Sequence, residues 1–483
     1  MAEQTNKPKP AAFTAKTTKQ KYIHLGIAIA ILLIIMHLPA PASLEEGTKS
    51  MRLLGIITAV VYLWITEALP HAVSACLIII LIPLLKVGNF GAIFAGTFGT
   101  TTFAFFMGVF TLSAVCKKSG FSKRLGSLFM LYSSSNSKVL LLGSMIISFI
   151  FSMFITDMAA VAMVLPIVIA ILTAMNAIPK QSNYGKCLTL GVSWGAIYGG
   201  ICTPAGVGSN ITTMKLLTDL AGMEVSFIQW MKLCVPIGIV GLLVGFFVLQ
   251  LCFKPEVNNI DIDKEALKKE LQDEPMTFGQ KYALALFILV VLAYIFSDKL
   301  GLGVALISFM IIPAAMLPGV GIFKGWDELQ KSINWGAIIL AVCGVIVGTL
   351  ANDFGLAQWI TGVVLKPLAS LPGALQIYSI TLITDIVGIL LSSMTITASV
   401  CVPLAITFSQ TTGAPVWATA IAACCASSTV MVLVTQTPTL IISYAEGYYT
   451  LKDCAKAGII MTFVSALIVT LVVIACGMPA VPF

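Results

Sequence analysis

Long apolar runs separated by short polar punctuation dominate the chain. Stretches near 22 to 40, 53 to 85, 93 to 115, 139 to 175, 187 to 213, 228 to 252, 281 to 318, 335 to 372, 376 to 409, 415 to 444 and 457 to 479 each approach or exceed the ~20 apolar residues that carry an α-helix across a bilayer. Several are too long for one span and must hold two helices or a hairpin. The pattern predicts an all-α polytopic membrane protein of about 11 transmembrane helices, with 138 to 175 and 375 to 409 left as two re-entrant hairpins.

Composition sharpens this picture. With 58% hydrophobic and 10% charged residues among 483, and a mean hydropathy of +0.99, the chain has too little polar surface to coat a soluble globule. Residues 1 to 21, polar and basic, read as a cytoplasmic tail rather than a cleaved signal. The net charge of +7 follows from Lys and Arg on the cytoplasmic side: most of the 28 fall there if the tail is cytoplasmic, and no nucleic-acid partner is implied. The twelve cysteines lie mostly singly in apolar runs without a CxxC pair, so they indicate neither zinc nor a disulfide framework.

The two hairpins match. Thr156 and Ser393 lie as far apart as Pro166 and Pro403, and a charged linker from Lys254 to Pro275 separates the halves. An odd number of crossings between the matched points inverts the second copy, which is the architecture of many secondary transporters. Four breaks interrupt the apolar runs: Ser152 to Met158, "TPAGVGSN" at 203 to 210, Ser392 to Thr395, and "TQTPT" at 435 to 439. Within lipid, backbone freed at such breaks must be satisfied internally or line a wet cavity. Helix N-termini there offer N–H groups to an anion.

None of the four breaks contains Lys or Arg, so an anion would rest on N–H dipoles, hydroxyls, the Asn210 amide and a co-bound cation. Asp157 is the sharpest signal, because a carboxylate at membrane depth costs at least ~2.5 kcal/mol unless neutralised, paired or wet. It is expected to bind a cation or a proton; the alternative is a protonated carboxyl capping a neighbouring helix. Glu67, beside Pro70 and His71, reads as an interfacial turn, and Asp353 and Asp385 read as helix ends. Three histidines form no cluster with a nucleophile or metal-ligand set, which leaves membrane-enzyme chemistry without support.

The segment "WITEALPHAVSACLIIILIPLL", the hairpin ending "AAVAMVLP", and the "GGICTPAGVGSN" and "TQTPT" breaks together resemble the divalent anion/sodium symporter family of dicarboxylate transporters, over about 22 to 479. The resemblance implies a homodimer in a bacterial inner or plasma membrane, each protomer having a scaffold domain and an elevator-like transport domain. The implied division is a tail at 1–21, scaffold at 22–126 and 281–372, transport at 127–252 and 373–483, and a cytoplasmic linker at 253–280. Each hairpin tip is implied to carry substrate carboxylates. By position those tips are Thr156, Asp157 and Met158, then Ser393, Met394 and Thr395, backed by Asn210, Thr437 and Pro438.

Both tip motifs depart from the family's Ser-Asn-Thr. The implied first cation site is Ser152, Thr156, Asp157 and a carbonyl near Gly206, able to take one sodium ion or a proton. The second falls on Ile389 and Met394, which offer no hard oxygen ligand. That asymmetry points to exchange of C4 or C5 dicarboxylates such as succinate, malate, fumarate or 2-oxoglutarate, with no other cofactor. Sodium- or proton-coupled symport is the alternative, and an anion channel the remote one. Met158 and Met394 are expected to trim the pocket.

Overall fold

The computed structural model describes residues 17–41, 44, 46–66, 68–121, 124, 128, 136–259, 275–391 and 393–477. Glu67, Ser392, most of the tail and most of the charged linker lie outside the described residues. Among those described, the architecture is all helical, and the sole β-type pairing joins Asn136 to Asn259.

The first half runs through α1 (Thr18–His37), α2 (Gly47–Thr66), α3 (His71–Leu84), α4 (Phe90–Phe98), α5 (Thr101–Lys118), α6 (Ser137–Phe154), α7 (Asp157–Ala174), α8 (Asn183–Gly200), α9 (Gly208–Ala221) and α10 (Phe227–Cys252). The second comprises α11 (Phe278–Ile295), the short α12 (Ser297–Leu300), α13 (Val304–Phe309), α14 (Ile311–Ala315) and α15 (Trp326–Gln330), then α16 (Trp335–Asp353) and α17 (Leu356–Ile360). It closes with α18 (Gly373–Leu391), α19 (Met394–Thr412), α20 (Val416–Thr429), α21 (Pro438–Ala445) and α22 (Leu451–Gly477).

Polar residues at the seams set where these helices begin. Thr17 with Gln20, Ser226 with Gln229 and Thr277 with Gln280 form reciprocal capping boxes at the starts of α1, α10 and α11. Asn136 and Ser182 cap α6 and α8. Eight helical spans among the described residues are long and apolar enough to cross a membrane, and several shorter apolar helices accompany them. Two of the eight, α6 and α19, are arms of the hairpins, and several expected crossings appear as shorter helices: 301 to 318 becomes α13 and α14, while the run beginning near 415 splits into α20 and α21.

Three apolar cores result. The largest is shared by α6 to α10 with α18 to α22; a second joins α5 to α11, α13 and α14; a third packs α1 to α4 on α16. The α6–α8 contact is backbone to backbone, since a β-carbon on Gly199 would stand 2.1 Å from the Phe149 carbonyl oxygen.

One expectation needs correction. Asp353 does end α16, but Asp385 stands well inside α18, 1% exposed. The Thr381 hydroxyl before it donates to the Ile377 carbonyl at 2.7 Å, so polar residues ride within the helix without ending it.

Candidate functional site

The first hairpin turns between α6 and α7. Ile155 and Thr156 are extended, and the Ile155 N–H still donates to the Phe151 carbonyl at 3.0 Å, so the turn takes only two residues. Asp157 opens α7, and its Oδ1 accepts the Met158 N–H at 2.7 Å, which places a carboxylate at a helix N-terminus. The second hairpin turns between α18 and α19. Ser393 is extended, and its Oγ accepts the Ile396 N–H at 3.5 Å as the cap of α19.

Both tips converge on one cavity of about 250 Å³, slightly smaller than the ~300–1,000 Å³ of most ligand pockets and suited to a small solute. Thr156, Asp157 and Met158 line one side; Ser393, Met394 and Thr395 line the other. Gly206, Val207 and Gly208, from the break between α8 and α9, and Pro438, at the start of α21, complete the polar rim. Phe105, Phe106 and Phe110 of α5 form an apolar wall.

Asn210 and Thr437 are placed differently. The fully buried Asn210 amide donates to the Gly200 and Thr203 carbonyls at 2.8 and 2.7 Å, and its Oδ1 accepts the Cys424 thiol at 3.5 Å. It braces the α8–α9 break from behind. Thr437 caps α21 by accepting the Leu440 N–H at 3.2 Å, which leaves the neighbouring Pro438 on the cavity.

The residues of the implied first cation site do lie together. A β-carbon on Gly206 would run into the Ser152 carbonyl at 2.6 Å, and one on Gly200 would meet the Ser152 hydroxyl at 3.2 Å and Asp157 Cβ at 3.7 Å. Ser152 Oγ is fully buried without a hydrogen-bond partner among the described residues. An orphaned hydroxyl beside a carboxylate and peptide carbonyls is a donor set that suits a hard monovalent cation.

Sequence reasoning missed His71 and Asn334, which also line the cavity, along with the aromatic wall. Rarity was the available signal for His71, one of three histidines. A wider space of about 1070 Å³ shares Thr156, Met158 and Asn334 with the small cavity and extends to Lys117, Lys118 and Lys331. At its far end Lys118 pairs with Glu328 and lies 4.5 Å from the centre of the Phe323 ring.

Known proteins align with this arrangement of helices and breaks from end to end. The profile of the sodium:sulfate symporter transmembrane region matches residues 19–481. The chain belongs to this family, the divalent anion/sodium symporters. Within the family, it is 27% identical over 492 residues to the sodium-dependent dicarboxylate transporter SdcS of Staphylococcus aureus, covering 95% of this chain and 93% of the relative. To the protein of that name from Staphylococcus saprophyticus it is 25% identical over 475 residues, covering 93% and 90%. The Alcanivorax borkumensis YdaH transporter shares the fold at a TM-score of 0.55 and 13% identity, over 96% of this chain and 99% of that one. Neisseria gonorrhoeae MtrF does so at 0.53 and 12%, over 95% of each. The chain is thus a family transporter and not an enzyme.

Proposed function

We propose that this family member exchanges C4 or C5 dicarboxylates across a bacterial inner membrane, with its N-terminus in the cytoplasm. The observation that carries the reading is the meeting of Thr156, Asp157 and Met158 with Ser393, Met394 and Thr395 around one small cavity. Two hairpins related by an inverted repeat supply hydroxyls and helix N-termini to the two ends of a doubly charged acid. Relatives named as dicarboxylate transporters support the cargo.

In this reading the core of α6 to α10 and α18 to α22 is the moving transport domain, the helices around α1 to α5 and α11 to α16 are the scaffold, and two scaffolds pair as a homodimer. Exchange is favoured because Ile389 and Met394 bring no oxygen to a second cation site. Counterflow in proteoliposomes tests it. Uptake that requires internal dicarboxylate and ignores sodium is expected; uptake driven by a sodium gradient into empty vesicles would overturn it.

Sodium-coupled symport is the second reading, favoured by one observation: the orphaned Ser152 hydroxyl beside Asp157. The relatives are sodium-dependent by name. One sodium ion per cycle, held by Ser152, Thr156, Asp157 and the backbone near Gly206, would then travel as a second cargo.

A further inference from the structure

Asp385 lies on α18, the arm that leads into the Ser393 tip, two turns or about 12 Å before it. It is 1% exposed, and among the described residues neither carboxyl oxygen has a hydrogen-bond partner. Among the described residues, the Tyr198 phenol of α8 and the Cys401 thiol of α19, both neutral side chains, lie within electrostatic reach. From the other packed elements, α20 brings the buried thiols Cys424 and Cys425. The charges on α2 and α22 are engaged elsewhere: Lys49 with Glu46, Arg52 with the Leu85 carbonyl, Asp453 with Lys186, and Lys456 with the Cys252 carbonyl, while Lys452 is exposed. Tyr378 shares α18 and is only half-buried.

An ionised carboxylate without a hydrogen-bond donor from the chain is disfavoured in such a place, whereas the neutral acid fits it. A sodium ion would need several oxygens, and the groups that sense the Asp385 charge supply one phenol and one thiol. A buried acid without a hydrogen-bond partner also does nothing for packing that leucine would not do better. It does have polar company. Tyr198 is hydrogen-bonded to Ser465 of α22, and one turn from Ser465 the buried Thr462 hydroxyl has no partner.

We propose that Asp385 is a proton-binding site of the transport half, which must be protonated for that half to cross the membrane. The proton comes from water on the side where the α18 arm is hydrated and returns to water there; the carboxylate form holds the arm open to water and arrests the crossing. The proposal rests on the transport reading for its cargo, but not on exchange over symport.

The test is the pH profile of dicarboxylate exchange in proteoliposomes with equal sodium and equal pH on both sides. Wild-type exchange is expected to fall with rising pH, approaching tenfold per pH unit on the alkaline limb, the slope of one titrating site. Asp385→Asn, an isostere of the neutral acid, is expected to keep the acid-limb rate on into alkaline medium. Titration of the substrate is common to both proteins, so the ratio of the two profiles isolates the residue. A variant profile that parallels the wild type overturns the proposal, as does a wild-type profile that is flat. Absence of exchange at every pH would instead tell against the transport reading. Infrared spectroscopy supplies a readout independent of flux: a protonated-carboxyl band that shifts in Asp385→Glu protein supports the proposal, and a spectrum in which no such band responds to that substitution overturns it.

Discussion

The Thr395 hydroxyl lies where Gly208 lacks a side chain: a β-carbon on Gly208 would stand 2.8 Å from Thr395 Oγ1 and 3.1 Å from Phe106 Cζ. The second hairpin tip, the α8–α9 break and the α5 wall therefore meet at one glycine. Gly208→Ala is expected to push the tip off its position and raise the apparent KM for dicarboxylate about tenfold or more, because displacements near 1 Å are costly at a binding site. Thr395→Ala removes the clashing atom. If the tip is the binding element, adding Gly208→Ala to Thr395→Ala costs less than it does alone, and transport kinetics of the four proteins measure that coupling.

Ser152 and Asp157 separate a cation role from a structural one. The Ser152 hydroxyl makes no hydrogen bond with the described residues, so Ser152→Ala is expected to leave thermal stability in sodium-free buffer within about 0.5 kcal/mol of wild type. If sodium binds there, its added stabilisation disappears in the variant. Thermal shifts with and without sodium, in both proteins, check this. Asp157→Asn keeps an acceptor for the Met158 N–H but loses the charge. If sodium binds there, the substitution is expected to lower its affinity while leaving the α7 N-terminus intact; an unchanged sodium response would remove Asp157 from the cation site.

The pairing of hairpins was legible because it rests on local signals: hydroxyl-rich steps in apolar runs, and prolines at matched spacing. The three-dimensional partners of the tips were not. Phe105, Phe106, His71 and Asn334 come from distant parts of the chain and reach the cavity only through helix packing. Asn210 shows the opposite limit. A buried amide in a broken helix reads as a ligand, yet its hydrogens go to the carbonyls that the break itself sets free at Gly200 and Thr203. Asp385 was misplaced for a related reason, since a helix through lipid can carry a carboxyl whose purpose is not to end it.

The α6–α8 contact predicts a stability effect distinct from any effect on binding. Gly199 lets the two helices touch at the Phe149 carbonyl, and backbone cannot yield as a flexible side chain would. Gly199→Ala is expected to destabilise the protein by about 1–3 kcal/mol through overpacking, despite the better helix propensity of alanine. Loss of thermal stability in detergent without altered cation response is the expected signature, since the contact lies behind the site.

In the proposed reading, lysines at the mouth of the wide space act on substrate before it reaches the tips. Lys117 and Lys331 are exposed beside a cavity that continues to Thr156 and Met158, and their field favours entry of a dianion. Lys117→Gln with Lys331→Gln is expected to raise KM at low ionic strength with kcat unchanged, and the difference is expected to shrink as salt screens the charges. Lys118 differs because Glu328 neutralises it, and its hydrogen bond holds the Glu328 carboxyl below the usual range. A depressed folded pKa contributes its stabilisation above the unfolded value and loses it as pH falls through the folded one. Glu328 therefore stays ionised wherever the substrate is a dianion, and Glu328→Gln is expected to free Lys118 and increase the attraction at the mouth at neutral pH. Salt titrations of KM for the single and double variants decide whether the lysines steer substrate: a KM shift that persists at high salt would mean that they bind it directly.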